Sequence, residues 1–295
     1  MVALLALGKI SRKLPAFPPN TPQVLNQFVI WISFPATVLL KVNGLKFDLG
    51  LLTLVAVPWA LVCLSLVMVL GISRVLGWDR KLTGGVLLTV ALGNTSFYGF
   101  PAVTAFLGEE YLALAILYDQ LGSFLALAIF GTIVVSVFQG DSQVSFASVA
   151  KKIVGFPPII ALCVGLLTSG LVFPHAVTFI LQGLSATLIP LVMVSVGAQL
   201  RFRQPASNLS PIFIILGLKM AVSPLLVMAV LLGLGISGPV FQVSVFEAAM
   251  PPMVLAGVLA STGGLRGDVA NAAIGYGIIL SFVTLPLIYY LIQLQ

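Results

Sequence analysis

Long apolar runs separated by short polar stretches make up most of this chain. Nine of these runs are about 20 residues long, carry few charges and are bounded by Lys, Arg, Gly or Pro. A helix of about 20 apolar residues is long enough to cross the hydrocarbon layer of a membrane. The predicted spans lie at about 22–41, 50–73, 83–107, 112–138, 150–170, 175–199, 209–233, 239–262 and 269–293.

A shorter apolar piece, VALLALGKI, precedes these nine runs. Lys9, Arg12 and Lys13 follow it, whereas a signal peptide places its charges before the apolar core. We therefore interpret it as the end of a shortened first helix, so that the prediction becomes ten transmembrane helices, numbered spans one to ten. No gap between the spans is long enough for a soluble domain, and the longest, QGDSQVSFASV (139–149), falls halfway along the chain.

The composition agrees with an all-α membrane protein. Of 295 residues, 60% are hydrophobic and only 7% are charged, and the mean hydropathy is +1.17. A soluble domain carries about 25% charged residues. The net charge of +6 is too small and too dispersed to indicate binding to nucleic acid. Cys63 and Cys163 lie within apolar runs and His175 has no second ligand nearby, so neither a disulfide framework nor a metal site is indicated.

The basic residues are distributed unevenly between the loops. Loops that follow odd-numbered spans contain eleven Lys and Arg residues, loops that follow even-numbered spans contain only Lys41 and Lys46, and Lys219 lies inside span eight. Cytoplasmic loops carry the excess of Lys and Arg in membrane proteins. The odd-numbered loops are therefore predicted to be cytoplasmic, and both termini of this multi-pass cell-membrane protein extracytoplasmic.

Two stretches of the first half match two stretches of the second half, in the same order and at similar offsets. The pairs are WISFPATVLLKVNGLKF (31–47) with SATLIPLVMVSVGAQLRF (185–202), and LYDQLGSFLALAIF (117–130) with GYGIILSFVTLPLI (275–288). In the first pair, Pro35 aligns with Pro190, and Leu45–Phe47 with Leu200–Phe202. Five helices in each half would make the second half enter the membrane from the opposite side. The prediction is an inverted repeat of 1–140 and 153–295, joined by a cytoplasmic linker at 141–152.

Spans four and nine contain residues that disrupt a helix near the middle of the membrane. Span four contains GNTSFYGFP (93–101), and span nine contains FEAAMPPMVLAG (246–257) with its Pro251-Pro252 pair. The N–H and C=O groups that such breaks free are tolerated only within protein or beside a water-filled cavity. Two interrupted spans in corresponding positions of two halves favour a transport site over a simple proline kink.

Three ionisable residues lie inside spans, where a charge is costly and a functional role is the default hypothesis. They are Asp119 in span five, Lys219 in span eight and Glu247 just before Pro251. Because Pro251 has no N–H, the Glu247 carbonyl is predicted to lack its usual partner. A carboxylate here could bind sodium together with backbone carbonyls, or carry a proton. Alternatively, the carboxylates have only a structural role, either in a fixed ion pair with Lys219 or held by neighbouring hydroxyls and amides. Lys219 is interpreted as a structural residue, and the alternative is that it attracts an anion.

The stretch GNTSFYGFPAVTAFLGEEYLALAILYDQLGS (93–123) resembles the signature of the auxin efflux carrier family, which includes the plant PIN proteins and bacterial homologues. The shared features are Gly93-Asn94, Pro101, the Gly108-Glu109-Glu110 loop and Asp119, and AAMPPMVLAGVLA resembles the proline-broken ninth helix of the family. The shortened first helix and the absence of the long PIN cytoplasmic loop depart from the family pattern.

This resemblance implies a ten-helix, bile-acid-symporter-like fold in which spans four and nine cross at their breaks. It also implies that a core domain (spans three to five and eight to ten) moves, elevator-like, against a scaffold domain (spans one, two, six and seven). A homodimer through the scaffold domain would be consistent with it. The related symporter fold binds sodium beside the crossing, which places a sodium site near Asn94 and Glu247.

The sequence therefore predicts a secondary carrier for small organic anions, such as auxin-like aromatic acids or mono- and dicarboxylates, that works by alternating access. The predicted substrate-binding residues are Asn94, Thr95, Ser96, Tyr98, Pro101, Met250, Pro251 and Pro252. Glu247 and Asp119 are predicted to couple transport to Na⁺ or H⁺, with no other cofactor. The alternatives are a sodium-coupled bile-acid-type symporter or a channel. An intramembrane enzyme would need a nucleophile with its base, paired catalytic aspartates or metal ligands, which this sequence does not supply.

Overall fold

The computed structural model describes residues 1–45, 50–139, 146–199 and 208–295. Within these ranges every regular element is a helix, as membrane spans require, because a helix satisfies its backbone hydrogen bonds within one segment. Most of the predicted match between Leu45–Phe47 and Leu200–Phe202, and part of the predicted linker 141–152, lie outside the described residues.

Thirteen helices follow one another along the described chain. They are α1 (Val2–Ser11), α2 (Thr21–Val42), α3 (Leu51–Leu76), α4 (Arg80–Ala91), α5 (Gly99–Phe106), α6 (Glu109–Gln139), α7 (Phe146–Val154), α8 (Pro157–Leu167), α9 (His175–Gln199), α10 (Leu209–Gly233), α11 (Gly238–Ala248), α12 (Val254–Thr262) and α13 (Gly267–Gln293). Six of them are long and apolar enough to cross a membrane. These six are α2, α3, α6, α9, α10 and α13.

The other four predicted spans are short or divided within the described residues. Helix α1, with ten residues, lies at the short first predicted span, span four is divided into α4 and α5, and span nine into α11 and α12. Span six is also divided, into α7 and α8, so its prediction as one helix is wrong. Pro157 and Pro158 begin α8, where a missing N–H removes no helical hydrogen bond, and Gly155 precedes them.

The short helix α1 packs closely against the second half of α9. A Cβ atom on Gly8 would lie 2.0 Å from the Val194 carbonyl oxygen, and one on Gly197 would lie 2.1 Å from the Leu5 carbonyl oxygen. Only glycine permits this approach of two helix backbones, which is a common way for membrane helices to associate. The two glycines therefore hold the N-terminal helix in place on α9.

Arg266 lies where three connections of the chain meet. Its guanidinium donates hydrogen bonds to Asn208 (2.7 Å) before α10 and to Asp268 (2.9 Å) at the start of α13, and the charge of Asp79 before α4 lies near it. The bond to Asp268 raises the pKa of Arg266 above its ordinary value. The connections that lead into α4, α10 and α13 therefore lie at one end of the molecule, which we call the basic end.

A different set of connections meets at the opposite end. The Asn43 side chain, just after α2, donates to the Leu171 carbonyl (2.9 Å) between α8 and α9. Lys41 of α2 forms an ion pair with Glu109 (3.1 Å) at the start of α6. The connections that follow α2, α5 and α8 thus lie together, away from the basic end.

Candidate functional site

The two divided spans meet at their breaks. The chain is not helical at 92–98, between α4 and α5, or at 249–253, between α11 and α12. The Asn94 N–H donates to the Pro251 carbonyl (2.8 Å) and the Met253 N–H donates to the Leu92 carbonyl (2.9 Å). Gly93 and Pro252 form a short antiparallel bridge between these two bonds. Backbone groups freed by one break are therefore satisfied by the other, as buried backbone groups must be.

The prolines relate to the two breaks in different ways. Pro251 and Pro252 lie inside the second break, as predicted from the sequence. Pro101 instead lies in the first turn of α5, after the first break, where its missing N–H is not needed. All three prolines are buried. The first break therefore belongs to the stretch 92–98, and the prediction of a break at Pro101 is corrected to that stretch.

Glu247, near the end of α11, is fully buried at the crossing (0% exposed). Neither carboxylate oxygen has a hydrogen-bond partner among the described residues. Gly99, the first residue of α5, lies against this carboxylate: a Cβ atom there would be 2.6 Å from Oε2. The Glu247 carbonyl, however, accepts a bond from the Met250 N–H (3.2 Å), so the predicted unpaired carbonyl is wrong. The last turn tightens, so that the amide three residues on replaces the missing proline N–H.

Lys219 reaches the same crossing from α10. Its side chain is buried and belongs to a π-helical turn at Leu218–Val222. A Cβ atom on Gly93 would lie 2.9 Å from the Lys219 Nζ. Lys219 and Glu247 both lie near the crossing, but they are not among the ion pairs within 4.0 Å that the described residues form. The structure thus does not contain the fixed ion pair considered from the sequence.

Asp119 faces the first break from α6. Its carboxylate is buried and accepts hydrogen bonds from the Thr95 hydroxyl (2.6 Å) and the Gln120 amide (2.6 Å). Ser96 and Asp119 also line a cavity of about 20 Å³ whose lining includes Phe156, the residue before α8. A cavity of this size has room for about one water molecule. Asp119 is therefore held by a hydroxyl and an amide, the alternative considered from the sequence, and it adjoins a small space lined mainly by apolar side chains.

The remaining predicted residues have different surroundings. Asn94 is buried, and its side-chain Nδ2 has no hydrogen-bond partner among the described residues. The Tyr98 hydroxyl is bonded to Ser281 of α13 (2.6 Å). Met250 is fully buried between Glu247 and the proline pair. Asn94 therefore has an unused polar group at the crossing, whereas Tyr98 attaches the start of α5 to α13.

A cavity of about 420 Å³ lies between the basic end and the crossing. Arg12 and Gln199 line one wall, at the ends of α1 and α9, and Val254 and Asn271 line the other, in α12 and α13. Val254 directly follows the second break, so the inner wall adjoins the crossing. No local sequence pattern predicted this cavity or the contacts of Gly93 and Gly99, because the residues involved are far apart in the chain. The two glycines were visible in the sequence, but only as helix breakers.

Known proteins with similar sequences identify the family. The sequence profile of the family described as "Membrane transport protein" matches residues 1–289. Over 293 residues, 97% of this chain and 94% of the relative, the chain is 30% identical to an "Uncharacterized transporter" of Methanothermobacter thermautotrophicus. A protein of Methanocaldococcus jannaschii with the same description is 31% identical over 212 residues, 68% of this chain and 67% of that protein. The chain therefore belongs to the membrane transport protein family, the auxin efflux carriers that its span-four signature resembles, and is an integral multi-pass membrane transporter rather than an enzyme.

Proposed function

We propose that this chain is a secondary carrier that moves small organic anions, aromatic acids or mono- and dicarboxylates, across the cell membrane by alternating access. The observation that carries the proposal is the crossing of the two divided spans, where Asn94 and Glu247 have buried polar atoms without partners. Such atoms cost free energy unless a ligand, an ion or water satisfies them. A substrate site and an ion site at the crossing would satisfy them in turn.

The charges at the crossing suggest how an anion and a cation could share it. Lys219 brings a positive charge to Gly93, and Glu247 brings a carboxylate to Gly99. A substrate carboxylate near Asn94 and Lys219, with Na⁺ or H⁺ on Glu247, would balance the charges of Lys219 and Glu247, while the Asp119 carboxylate keeps its hydrogen bonds to Thr95 and Gln120. Carboxylate oxygens are suitable ligands for Na⁺, and a proton needs the carboxylate alone. The same arrangement would suit the alternative, a sodium-coupled symporter of the bile-acid type.

Contacts between the two halves support two inverted repeats. In the predicted repeat, spans one and two (α1, α2) correspond to spans six and seven (α7–α8, α9). The two cross contacts expected from this symmetry are both present: α1 packs on α9, and α8 packs on α2, with Gly165 of α8 against Leu39 and Val42. The hydroxyls of Ser33 and Thr187 are 2.7 Å apart, and they join α2 to α9 close to the two matching prolines. Elements related by a two-fold axis meet in this way near the axis. The scaffold domain would then comprise α1, α2 and α7–α9, and the core domain the other helices, while the homodimer stays a prediction.

Uptake into proteoliposomes tests the carrier. We expect saturable uptake of radiolabelled malate or indole-3-acetate, because a carrier binds its substrate in each cycle. A conductance that does not saturate would instead indicate a channel, whose pore is typically lined by rings of repeated groups. If neither these acids nor other carboxylates in a panel are taken up in a saturable manner, the proposed function is rejected.

Asn94→Ala tests the place of the substrate. The variant keeps the two backbone hydrogen bonds of residue 94, from its N–H to Pro251 and from the Gly99 N–H to its carbonyl. It removes a side-chain amide whose Nδ2 has no partner among the described residues, so it should fold normally. We expect uptake at limiting substrate to fall about tenfold, as one hydrogen bond to a charged group is worth about 1.5 kcal/mol or more. Asn43→Ala at the opposite end is the matched control and should leave uptake unchanged. A wild-type KM and rate in Asn94→Ala would remove Asn94 from the site.

A further inference from the structure

The cavity between the basic end and the crossing contains a charged residue with no assigned role. Among the described residues that line it, Arg12 is the one with a charge, and the other polar side chains include Gln23, Gln199 and Asn271. Its volume of about 420 Å³ lies in the range of small-molecule pockets, about 300–1,000 Å³. The described part of this lining is therefore positively charged.

Arg12 is held at this cavity by a rigid element. It directly follows α1, which is fixed on α9 by the close contact of Gly8 and Gly197. Its side chain is exposed, and the ion pairs found among the described residues do not include it. The Arg12 side chain is thus accessible to solutes at the cavity lining, and the backbone that carries it continues from a helix packed on α9.

Of the three amide side chains among the described residues that line the cavity, two already donate hydrogen bonds within the protein. The Gln199 side-chain nitrogen donates to the Ser195 carbonyl (3.2 Å), and the Asn271 side-chain nitrogen donates to the Gly267 carbonyl (2.7 Å). Arg12 therefore offers the cavity a charged set of hydrogen-bond donors. The planar guanidinium matches a carboxylate, with which it forms two parallel hydrogen bonds.

We infer that Arg12 is an anion-binding point at the mouth of this cavity, where a substrate carboxylate is held before it moves on to the span crossing. The inference rests on the proposed function, because it assumes that organic acids use the cavity. It adds a second recognition point, at the end of α1 rather than on the divided spans. A charge at this exposed position increases the local concentration of anions, and salt weakens that effect.

Chemical labelling of arginine tests the binding point without any transport measurement. Purified wild-type protein is treated with p-hydroxyphenylglyoxal, and the modified peptides are quantified by mass spectrometry with increasing malate or indole-3-acetate. We expect either acid to slow labelling of Arg12 several-fold, and to leave labelling of Arg74, an exposed residue of α3 outside the cavity lining, unchanged. Unchanged labelling of Arg12, or equal protection of Arg74, would overturn the inference.

Transport kinetics give the second measurement. For uptake from the basic end at low salt, Arg12→Gln should raise KM about fivefold, the effect of one exposed ion pair, with an unchanged kcat. Arg12→Lys should retain part of the effect, Lys13→Gln is the matched control, and high salt should abolish the difference. If wild-type protein shows no saturable uptake, the proposed function fails and the labelling alone decides on Arg12. If uptake is present and Arg12→Gln has the wild-type KM at low salt, the inference is wrong.

Discussion

Gly93 and Gly99 each lie opposite a charged side chain that comes from another helix. Lys219 Nζ would be 2.9 Å from a Cβ atom on Gly93, and Glu247 Oε2 would be 2.6 Å from one on Gly99. Any larger residue at either place would displace the charged group or the break itself. At the scale of single residues, Gly93 in the first break and Gly99 at the start of α5 therefore make room for the two charges of the crossing.

Gly99→Ala should damage the protein through Glu247. Contacts shorter than 3.0 Å are not tolerated by a Cβ atom, so the carboxylate or α5 must shift. We expect the free energy of unfolding to fall by about 1–3 kcal/mol, as for other overpacked sites, and ion-dependent uptake to be lost. Gly71→Ala in α3, where nothing lies within 4 Å, is the control and should be neutral or slightly stabilising. Wild-type stability and uptake in Gly99→Ala would contradict this packing.

Glu247→Gln keeps the shape of the side chain and removes its charge. If Glu247 binds the coupling ion, the variant should lose ion dependence and still bind some substrate. Sodium-dependent thermal stabilisation that vanishes in the variant would indicate sodium, and a pH-dependent transport rate that flattens would indicate the proton. Glu110→Gln, at an exposed position, is the control. The same sodium and pH responses as wild type would make Glu247 a structural residue.

At the scale of elements, helix α6 reaches the crossing through a wide π-helical turn at Tyr118–Phe124. Helix α3 supports this turn: Pro58 packs against Gly122, where a Cβ atom would lie 2.1 Å from its ring, and the Trp59 indole donates to the Leu121 carbonyl (3.1 Å). Wide turns leave carbonyls without their regular partner, and Trp59 satisfies one of them. The turn is therefore a supported element that presents Asp119 to the first break.

Thr95→Val tests the connection between α6 and the first break. The change is nearly isosteric and removes the hydroxyl that donates to Asp119 at 2.6 Å. Leaving a buried carboxylate short of a donor should lower the free energy of unfolding by about 1–3 kcal/mol. Thr132→Val, whose hydroxyl bonds only within α6, is the matched control and should have a smaller effect. In a double-mutant cycle with Asp119→Asn, a coupling of more than about 0.5 kcal/mol is expected, and additive effects would contradict the connection.

At the scale of the whole molecule, the two ends differ. The larger cavity lies toward the basic end, between the ends of α1 and α9 and the helices α12 and α13. At the opposite end, Lys41 and Glu109 join α2 to α6, and deeper in the protein Phe34 packs edge-on against Phe100 (5.0 Å between ring centroids). In the proposed carrier this arrangement corresponds to a state that is open at the basic end and closed at the other.

The basic end is predicted to face the cytoplasm. Ser142→Cys, in a variant without Cys63 and Cys163, should resist a membrane-impermeant thiol reagent added outside cells, because Lys and Arg are retained on the cytoplasmic side. Ser169→Cys, exposed in the connection between α8 and α9, should be labelled under the same conditions. Labelling of residue 142 from outside would reverse the predicted topology and the side from which Arg12 receives its anion.

The sequence by itself determined the class of protein, the family and most helices. The six long helices lie close to their predicted spans because apolarity and length act within about 20 residues and can be read locally. The breaks of spans four and nine were also readable, since Gly and Pro disrupt a helix wherever it lies. The same signal, Gly155 before Pro157-Pro158, stands where span six is divided into α7 and α8.

Only the tertiary structure decided how the residues of the site meet. Three contacts or shared walls bring together residues more than 100 positions apart in the chain: Gly99 with Glu247, Gly93 with Lys219, and Arg12 with Asn271 around the cavity. No local pattern encodes such contacts. The paired carbonyl of Glu247 shows the same limit, because proline chemistry correctly predicts a missing N–H but not that Met250 replaces it. Local physics places the helices, and the packing of distant segments determines which polar groups stay unpaired for a substrate or an ion.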